Sequence, residues 1–312
     1  MKIAIVTASS LNLRNQAGMA GAVIGQLPRD TRVEILGVQG VWYEVTAGGK
    51  RGFVHGDFLR IVEAPSLQGF LKDQPSLRNL SLPAAQKLMV DPNAGTARRG
   101  TVRIWNDFGG LLGPLSKLLE VEPADAVAVL YVESGGKGFG ADGRLVIRFE
   151  NHIFYREWGK ANEAAFRAQF AFDPAKPWTN HLLRAQPGAP WLPLHTGAQA
   201  NEWNAFTAAR RLAEVPALRS ISLGLPQTMG FNHSLVGYDS ARALFDAYSA
   251  GLAAQVLGLF DFIKGREPNS EALQALQRRQ YHRLAELYNG KGQADQYAAL
   301  IERAAAAFPL AS

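Results

Sequence analysis

The chain has 312 residues, of which 47% are hydrophobic and 19% are charged, a composition typical of soluble globular proteins and a length sufficient for two domains. It contains no cysteine, which excludes disulfides, thiolate metal sites and cysteine nucleophiles. The formal net charge of +6 is compatible with an anionic partner such as nucleic acid, an anionic lipid surface or a carboxylate-rich cell-wall polymer, and equally with solubility alone.

The N-terminal segment has an apolar run of four residues, 3–6, which is too short for the core of a signal peptide. No apolar run of membrane-spanning length occurs anywhere in the sequence. We therefore expect a protein that is synthesised in the cytoplasm without a signal peptide and makes no stable membrane insertion. If it acts outside the cell, another component must release it.

Residues 1–62 are predicted to form short strands separated by turns. Leu11 and Leu13 alternate with polar residues, and "RVEIL" at 32–36 has the same strand character. The segment "VWYEVTAGGKRGFVH" at 41–55 contains two strand patterns around Gly48-Gly49, which is a hairpin signal. A chain this short with several strands is expected to close into a small all-β barrel.

Residues 63–100 contain four prolines among mixed polar residues and show no sustained hydrophobic period, which predicts a linker. Helical patterns dominate residues 101–312. We expect one helix that starts at Pro123 and ends before Gly135, and further helices over 239–264, 270–287 and 293–307. The alternation in "RLVIRFENHIF" at 144–154 predicts a strand. The fold class is thus multidomain, with a small all-β barrel followed by a mainly α domain that contains a small sheet.

Glu133, in the stretch "VLYVESGGKGFG", is the candidate general acid. It lies in the last turn of a predicted apolar helix, where the helix dipole and desolvation by neighbours such as Val132 both disfavour a charged carboxylate. Both effects raise the pKa, as a proton donor near neutral pH requires. The alternative is a solvent-facing glutamate at an ordinary helix end.

Glycoside cleavage is one reaction that uses a general acid of this kind. It also needs a second polar group that supports positive charge on the sugar ring or positions water. Asp142 lies in the segment "ADGR", which is an obvious turn and has a structural explanation. Glu150 lies on the polar face of the predicted strand with Arg148 and His152. We prefer Glu150, because a strand fixes the direction of a side chain better than a turn does, although a salt-bridged structural role is the alternative.

The six histidines are scattered and form no HExxH motif or close pair with a carboxylate in the sequence, so we expect neither a metal site nor a cofactor. The basic residues form no stripe with interleaved aromatic residues, so we expect no binding of nucleic acid.

Two parts of the sequence resemble known families. The order "LNLR…VIGQLPRDTRVEILG…WYEV…GGKRGFVHGDFL" resembles bacterial SH3 domains, which usually bind the bacterial cell wall; Trp42, Tyr43, His55 and Asp57 are candidates for the lining of a groove. The blocks "VLYVESGGKGFGADGRLVIRFENHIFYREWGK", "SISLGLPQTMGFNHSLVGYDS" and "LYNGKGQADQYAALI" resemble the N-acetylmuramidase domain of phage endolysins, which has a lysozyme-like fold. They are more distantly similar to goose-type lysozymes and lytic transglycosylases.

The muramidase resemblance implies roles for six residues. Glu133 matches the catalytic acid of the Glu-Ser motif, and Glu150 matches its catalytic partner. Residues implied to bind substrate are Gln227 and Asn232, which match the block lining the sugar cleft, and Tyr288 and Asn289, which match the cleft-closing "YNG". Leu223 and Pro226 depart from the transglycosylase pattern, which puts transglycosylase chemistry in doubt.

The resemblance as a whole implies a peptidoglycan hydrolase that cleaves the β-1,4 bond between N-acetylmuramic acid and N-acetylglucosamine. The alternatives are a lytic transglycosylase on the same fold and an inactive cell-wall-binding protein. We expect the glycan strand to bind in the catalytic cleft and the wall to bind the SH3 domain. We also expect a monomer that reaches the wall through a holin-type pore.

Overall fold

The computed structural model describes residues 2–62, 69–265 and 270–309. The chain divides into two compact units, Met1–Ser66 and Leu67–Ser312. Each unit has hydrophobic clusters of its own, and each is described by itself below.

The first unit is a single antiparallel sheet. Its seven strands are β1 Lys2–Val6, β2 Ser10–Arg14, β3 Val23–Pro28, β4 Arg32–Gln39, β5 Trp42–Ala47, β6 Lys50–His55 and β7 Leu59–Val62. Their order in the sheet is β3-β2-β6-β5-β4-β1-β7. The predicted all-β character of residues 1–62 is confirmed.

Alternating side chains form the core of this unit. Leu11 and Leu13 point inward from β2, and Val45 and Val54 meet them from β5 and β6. The predicted hairpin between β5 and β6 is also present: both Gly48 and Gly49 have positive φ angles, of 55° and 78°, which suits a tight turn.

The second unit is mainly helical. Its helices are α1 Thr96–Leu119, α2 Pro123–Ser134, α3 Asn151–Glu157, α4 Glu163–Gln169, α5 Gln199–Leu212, α6 Glu214–Arg219, α7 Ala241–Ala250, α8 Leu252–Lys264, α9 Glu271–Gln277, α10 Tyr281–Tyr288 and α11 Ala294–Ala307. Six short strands form two small antiparallel sheets: β8 Ile147–Phe149, β9 Phe170–Ala171, β10 Leu182–Leu183, β11 Leu192–Pro193, β12 Ile221–Leu223 and β13 Thr228–Met229. The sheet orders are β11-β10-β9 and β13-β12-β8.

Two predicted helices are each broken into two. The predicted helix over 239–264 breaks at Gly251, between α7 and α8, where glycine has little preference for helix. The predicted helix over 270–287 breaks at residues 278–280, where Arg279 adopts a left-handed φ of 55°. The helix predicted over 293–307 is confirmed as α11. None of the helices in the described part of the chain is long and apolar enough to cross a membrane.

The predicted strand over 144–154 is wrong beyond Phe149. The alternation holds through β8, which pairs with β12, and the chain then turns at Glu150 into helix α3. Burial still alternates at Asn151 and Ile153, so the sequence pattern does not mark this turn. The helix is shown by its hydrogen bonds, since the N–H of Phe154 donates to the carbonyl oxygen of Glu150 at 3.0 Å. Glu150 therefore lies at the junction between a strand and a helix.

The predicted linker, residues 63–100, differs from the structure over its larger part. Residues 63–68 lie outside the described residues, but Leu71 and Leu77 are buried in the core of the helical unit. The backbone N–H of Leu71 donates to Oδ1 of the buried Asp261 at 2.8 Å. Isolated leucines between prolines give no period along the sequence, so this packing is visible only in three dimensions.

Candidate active site

Glu133 is the penultimate residue of helix α2. Residues 126–130 of this helix are completely or almost completely buried, whereas residues 131–134 are half-buried. The helix ends because Gly135 adopts the left-handed conformation, with φ of 57°, and its N–H donates to the carbonyl oxygen of Tyr131. The buried helix body therefore carries Glu133 to the edge of the core.

The glycines after the helix allow close packing around this end. A Cβ atom on Gly138 would lie 2.1 Å from Oε1 of Gln255, a buried side chain that binds the backbone N–H of Leu225. Gly136 has a φ of 79°, which favours glycine. The glycine run that follows Glu133 thus has a structural cause of its own.

The carboxyl group of Glu133 is largely shielded from water. Burial raises its pKa from 4.5 to about 7, and a hydrogen bond from Asn289 lowers the pKa by a smaller amount. Nδ2 of Asn289 donates to Oε1 of Glu133 at 3.3 Å. The prediction of a raised pKa for Glu133 is confirmed, and Asn289, predicted to bind substrate, contacts the acid directly.

Helices α2 and α10 are connected at both ends. Asp125, in the first turn of α2, is buried and accepts a hydrogen bond of 2.7 Å from the hydroxyl of Tyr281 in the first turn of α10. It also accepts one of 3.0 Å from Nε of Arg279. Eight residues further along each chain segment, Glu133 meets Asn289. The contacts at Asp125 and at Glu133 together fix the position of the "YNG" segment along helix α2.

Two tyrosines lie close enough to Glu133 to sense its charge. Burial raises the pKa of Tyr288 well above its ordinary value, and the charge of Glu133 adds to the effect. The pKa of Tyr297 is raised by the same two causes in the same order. Tyr288 also packs edge-on against Phe262, with ring centroids 5.4 Å apart. Sequence reasoning missed Tyr297, which reaches the acid because α11 packs on α2.

Glu150 is surrounded by basic side chains, and 14% of its own side chain is exposed. Its Oε1 accepts a hydrogen bond of 2.8 Å from Nε of Arg148. Its Oε2 lies 3.5 Å from Nδ1 of His152 and 3.5 Å from Nδ1 of His181. Both histidines have pKa values lowered mainly by burial, which favours their neutral forms.

His195 completes this group. Its Nε2 donates to the carbonyl oxygen of Phe149 at 3.0 Å, and its Nδ1 accepts from Nη2 of Arg148 at 2.8 Å. Its ring centroid lies 4.5 Å from that of His181. The structure thus brings His181 beside Glu150 in addition to His152, which the sequence already placed on the same face. Position 181 is too far from Glu150 in the sequence to show this contact.

Asp142, the rival of Glu150, has the structural role that its turn motif suggested. It accepts hydrogen bonds from the backbone N–H of Arg144 at 3.0 Å and from Nε of Arg144 at 2.7 Å. These bonds lower the pKa of Asp142, and its side chain is exposed. An ionised carboxylate tied into a surface turn is a poor candidate for a group that stabilises a buried transition state.

The remaining predicted substrate-binding residues lie on one segment. Gln227 is exposed in the turn between β12 and β13; its Nε2 donates to Gly224 O and its Oε1 accepts from Ser222 Oγ, both at 2.7 Å. Asn232 is half-buried in the 3-10 helix Gly230–Val236 that follows. Both ends of the Gln227 amide thus support the turn, a role that the sequence did not predict.

The first unit has a groove of its own, with a cavity volume of about 190 Å³. Of the four predicted residues, Trp42 and His55 line it, with rings 5.2 Å apart in an edge-to-face arrangement. Tyr43 and Asp57 are not among its lining residues. The other lining residues are Ala8, Ser10, Leu11, Asn12, Arg14, Met19 and Phe58.

Comparison with known proteins assigns both units. The family model for N-acetylmuramidase matches residues 122–309, and the model for the bacterial SH3 domain matches residues 9–60. Among solved structures, the crystal structure of Burkholderia AP3 phage endolysin is 31% identical over 62% of this chain and 68% of that chain, with a TM-score of 0.49. No match was found among the curated proteins.

An SH3-like unit followed by a helical unit with a half-buried acid at a helix end defines a modular glycoside hydrolase of the bacterial cell wall. The chain belongs to the N-acetylmuramidase family, whose model matches more than half of its length. Its substrate is peptidoglycan, and the predicted fold class and enzyme class are confirmed. The family favours neither of the two alternatives, transglycosylation and inactive wall binding.

Proposed function

We propose that Glu133 is the general acid of this muramidase and that it protonates the leaving oxygen of the β-1,4 bond between N-acetylmuramic acid and N-acetylglucosamine. The observation that supports this role is a half-buried carboxyl group at a helix end with a pKa of about 7. An acid with that pKa still holds its proton in a substantial fraction of molecules at neutral pH. As the glycosidic oxygen leaves, the proton moves from the carboxyl group to that oxygen.

Glu150 is the proposed second carboxylate. Arg148 holds one of its oxygens, which keeps the side chain oriented, while the other oxygen lies 3.5 Å from Nδ1 of His152 and from Nδ1 of His181. A carboxylate of this kind stabilises the oxocarbenium-like transition state or activates a water molecule. Glu150 is preferred over Asp142 because its side chain is more buried and is held in one orientation by Arg148.

The "YNG" segment and the block at 221–236 are proposed to bind the glycan strand. Tyr288 and Asn289 lie beside the acid, and Asn232 with Gln227 lies on the segment that follows β12. Of these four residues, Asn289 has the clearest second role, since its hydrogen bond also lowers the pKa of Glu133. The SH3 groove at Trp42 and His55 is proposed to hold the wall, which raises the local concentration of substrate for the helical unit.

We further propose that the protein is an endolysin that acts as a monomer and reaches the wall through a holin-type pore. The 31% identity to a phage endolysin over 62% of this chain supports the first part.

Product analysis on purified peptidoglycan tests the reaction. Hydrolysis leaves reducing muramic acid ends, whereas transglycosylation leaves anhydro sugars, and mass spectrometry separates the two. Glu133→Gln should release no fragments above background, with Glu163→Gln, an exposed helical glutamate, as the matched control. Release of anhydro products, or near-normal activity in Glu133→Gln, would contradict the proposal.

A further inference from the structure

Glu150, His152 and His181 place three metal-binding atoms in one small volume. One ligand atom from each residue lies within 4.8 Å of the other two, and the two carboxylate-to-imidazole distances are 3.5 Å each. In a tetrahedral zinc site with bonds of roughly 2.0–2.1 Å, ligand atoms lie about 3.4 Å apart. The carboxylate is therefore already at ligand spacing from both imidazoles. From this geometry we infer that the three residues form a zinc-binding site with a His₂Glu ligand set.

The hydrogen bonds around the cluster leave the ligand atoms suited to this role. Nε2 of His181 lies 2.8 Å from the carbonyl oxygen of Pro177 and must donate its proton to it, so that Nδ1 carries the lone pair. Arg148 occupies only Oε1 of Glu150, and Oε2 remains directed toward the imidazoles. Such outer contacts orient ligands in metal sites.

One imidazole nitrogen in the cluster, Nδ1 of His152, has no hydrogen-bond partner among the described residues. This atom is buried, and an unpaired buried polar atom is costly. Nδ1 of His181 accepts a long hydrogen bond of 3.3 Å from the backbone N–H of Asn151, and a bound ion would replace that contact. Zinc would thus bind the otherwise unpartnered Nδ1 of His152 and the free carboxylate oxygen, and at His181 it would take the place of a long hydrogen bond.

The ligand chemistry favours zinc over calcium or magnesium. Two imidazoles and one carboxylate are the ligand set of borderline metals, whereas calcium and magnesium prefer oxygen ligands. Three protein ligands leave a fourth position for water. An ion there therefore bears on the role proposed above for Glu150: it would favour activation of water over direct stabilisation of the oxocarbenium-like state, because a dication would oppose positive charge on the sugar. Glu150 and His152 lie at the start of α3 and His181 just before β10, so the ion would connect two segments about thirty residues apart in the chain.

Zinc titration of the full chain, purified without a histidine tag and stripped with a chelator, tests the site. Isothermal calorimetry should give one zinc ion per chain, and cobalt in its place should show the visible absorption of a tetrahedral site. Glu150→Gln and His152→Gln should each weaken zinc binding by roughly tenfold or more. His282→Gln is the matched control, since His282 also pairs with a carboxylate, that of Asp295, at the surface.

Equal zinc affinity in the wild type and both site variants, or an equal loss in His282→Gln, would overturn the inference. A chelator-stripped thermal melt checks that the variants fold. If Glu150→Gln does not fold, His152→Gln carries the test, because its side chain is 24% exposed. Glu133→Gln should bind zinc normally, so a failure of the zinc site and a failure of the proposed general acid give different results.

Discussion

Asn289 donates a hydrogen bond from Nδ2 to Oε1 of Glu133 across 3.3 Å, and the two residues lie at the ends of helices α10 and α2. This bond favours the ionised carboxylate and so opposes the effect of burial, which is the larger of the two. The proton affinity of Glu133 is thus set by two opposing contributions, and each can be changed separately.

Asn289→Ala should raise the pKa of Glu133 further, because the variant loses a donor to the charged form. The net value of one such hydrogen bond corresponds to a shift of about half a unit to one unit. The alkaline limb of the profile of kcat/KM against pH should move up by that amount. Asn93→Ala, at an exposed position, is the control and should leave the limb in place. A downward shift in Asn289→Ala would contradict the assignment.

Glu133 should make activity fall as the pH rises through about 7, since the ionised form cannot donate a proton. The raised pKa also lowers the free energy of unfolding, because the carboxyl group ionises more readily in the unfolded chain than in the folded one. This loss of stability develops between pH 4.5 and about 7 and is complete above that range. Glu133→Gln removes the loss, which amounts to at most about 3 kcal/mol. Urea unfolding at pH 8 and pH 4 should show a gain in stability at pH 8 alone. An equal effect at both pH values would show that the carboxyl group is not desolvated.

Glu150→Gln should reduce kcat by about a hundredfold or more, as expected when a group that acts in the transition state is lost. Asp142→Asn should change kcat by only a few-fold, because Asp142 is exposed and bound to Arg144 in a turn. Steady-state assays on soluble glycan fragments provide the comparison. A larger loss in Asp142→Asn would identify Asp142 as the second acid and exclude Glu150.

Asp125→Ala should destabilise the helical unit by about 1–3 kcal/mol, because the hydroxyl of Tyr281 loses its buried partner. It should also lower activity, since the same contact fixes the register of α10 and with it Asn289. Asp125→Asn retains an acceptor for Tyr281, so its stability and its activity should lie between those of Asp125→Ala and those of the wild type. Chemical denaturation and kcat/KM measure the two effects. Full activity in a destabilised Asp125→Ala protein would show that the contact stabilises the fold but does not position Asn289.

Gly138→Ala should destabilise the fold by about 1–3 kcal/mol, because its Cβ would lie 2.1 Å from Oε1 of the buried Gln255. Gly143→Ala provides a comparison: no atom lies near the added Cβ, although its φ of 74° adds backbone strain. Thermal melts of both variants test whether the glycine run is required for packing. An unchanged melt in Gly138→Ala would show that Gln255 moves aside at little cost.

Local patterns in the sequence were sufficient for the elements with strong signals. Pro123 and Gly135 bound helix α2 as predicted, because proline suits a first turn and glycine suits a left-handed end. The hairpin at Gly48-Gly49 was predicted for the same kind of local reason. The desolvated carboxyl of Glu133 could also be predicted, since its apolar neighbours lie within one turn of the same helix.

Tertiary structure decided which distant residues meet. Asn289 reaches Glu133 and His181 reaches Glu150 from 156 and 31 positions away, and no periodicity encodes such pairs. The turn at Glu150 and the burial of Leu71 likewise depend on surfaces that other segments supply. The sequence by itself determined the succession of an all-β and a mainly helical part and the helix that ends beside Glu133, because these follow from local backbone preferences and hydrophobic patterning. The choice of Glu133 as the proposed general acid followed from the family resemblance. The proton affinity of Glu133 and the surroundings of Glu150 were decided by packing, because desolvation and hydrogen bonding depend on neighbours that only the folded chain brings together.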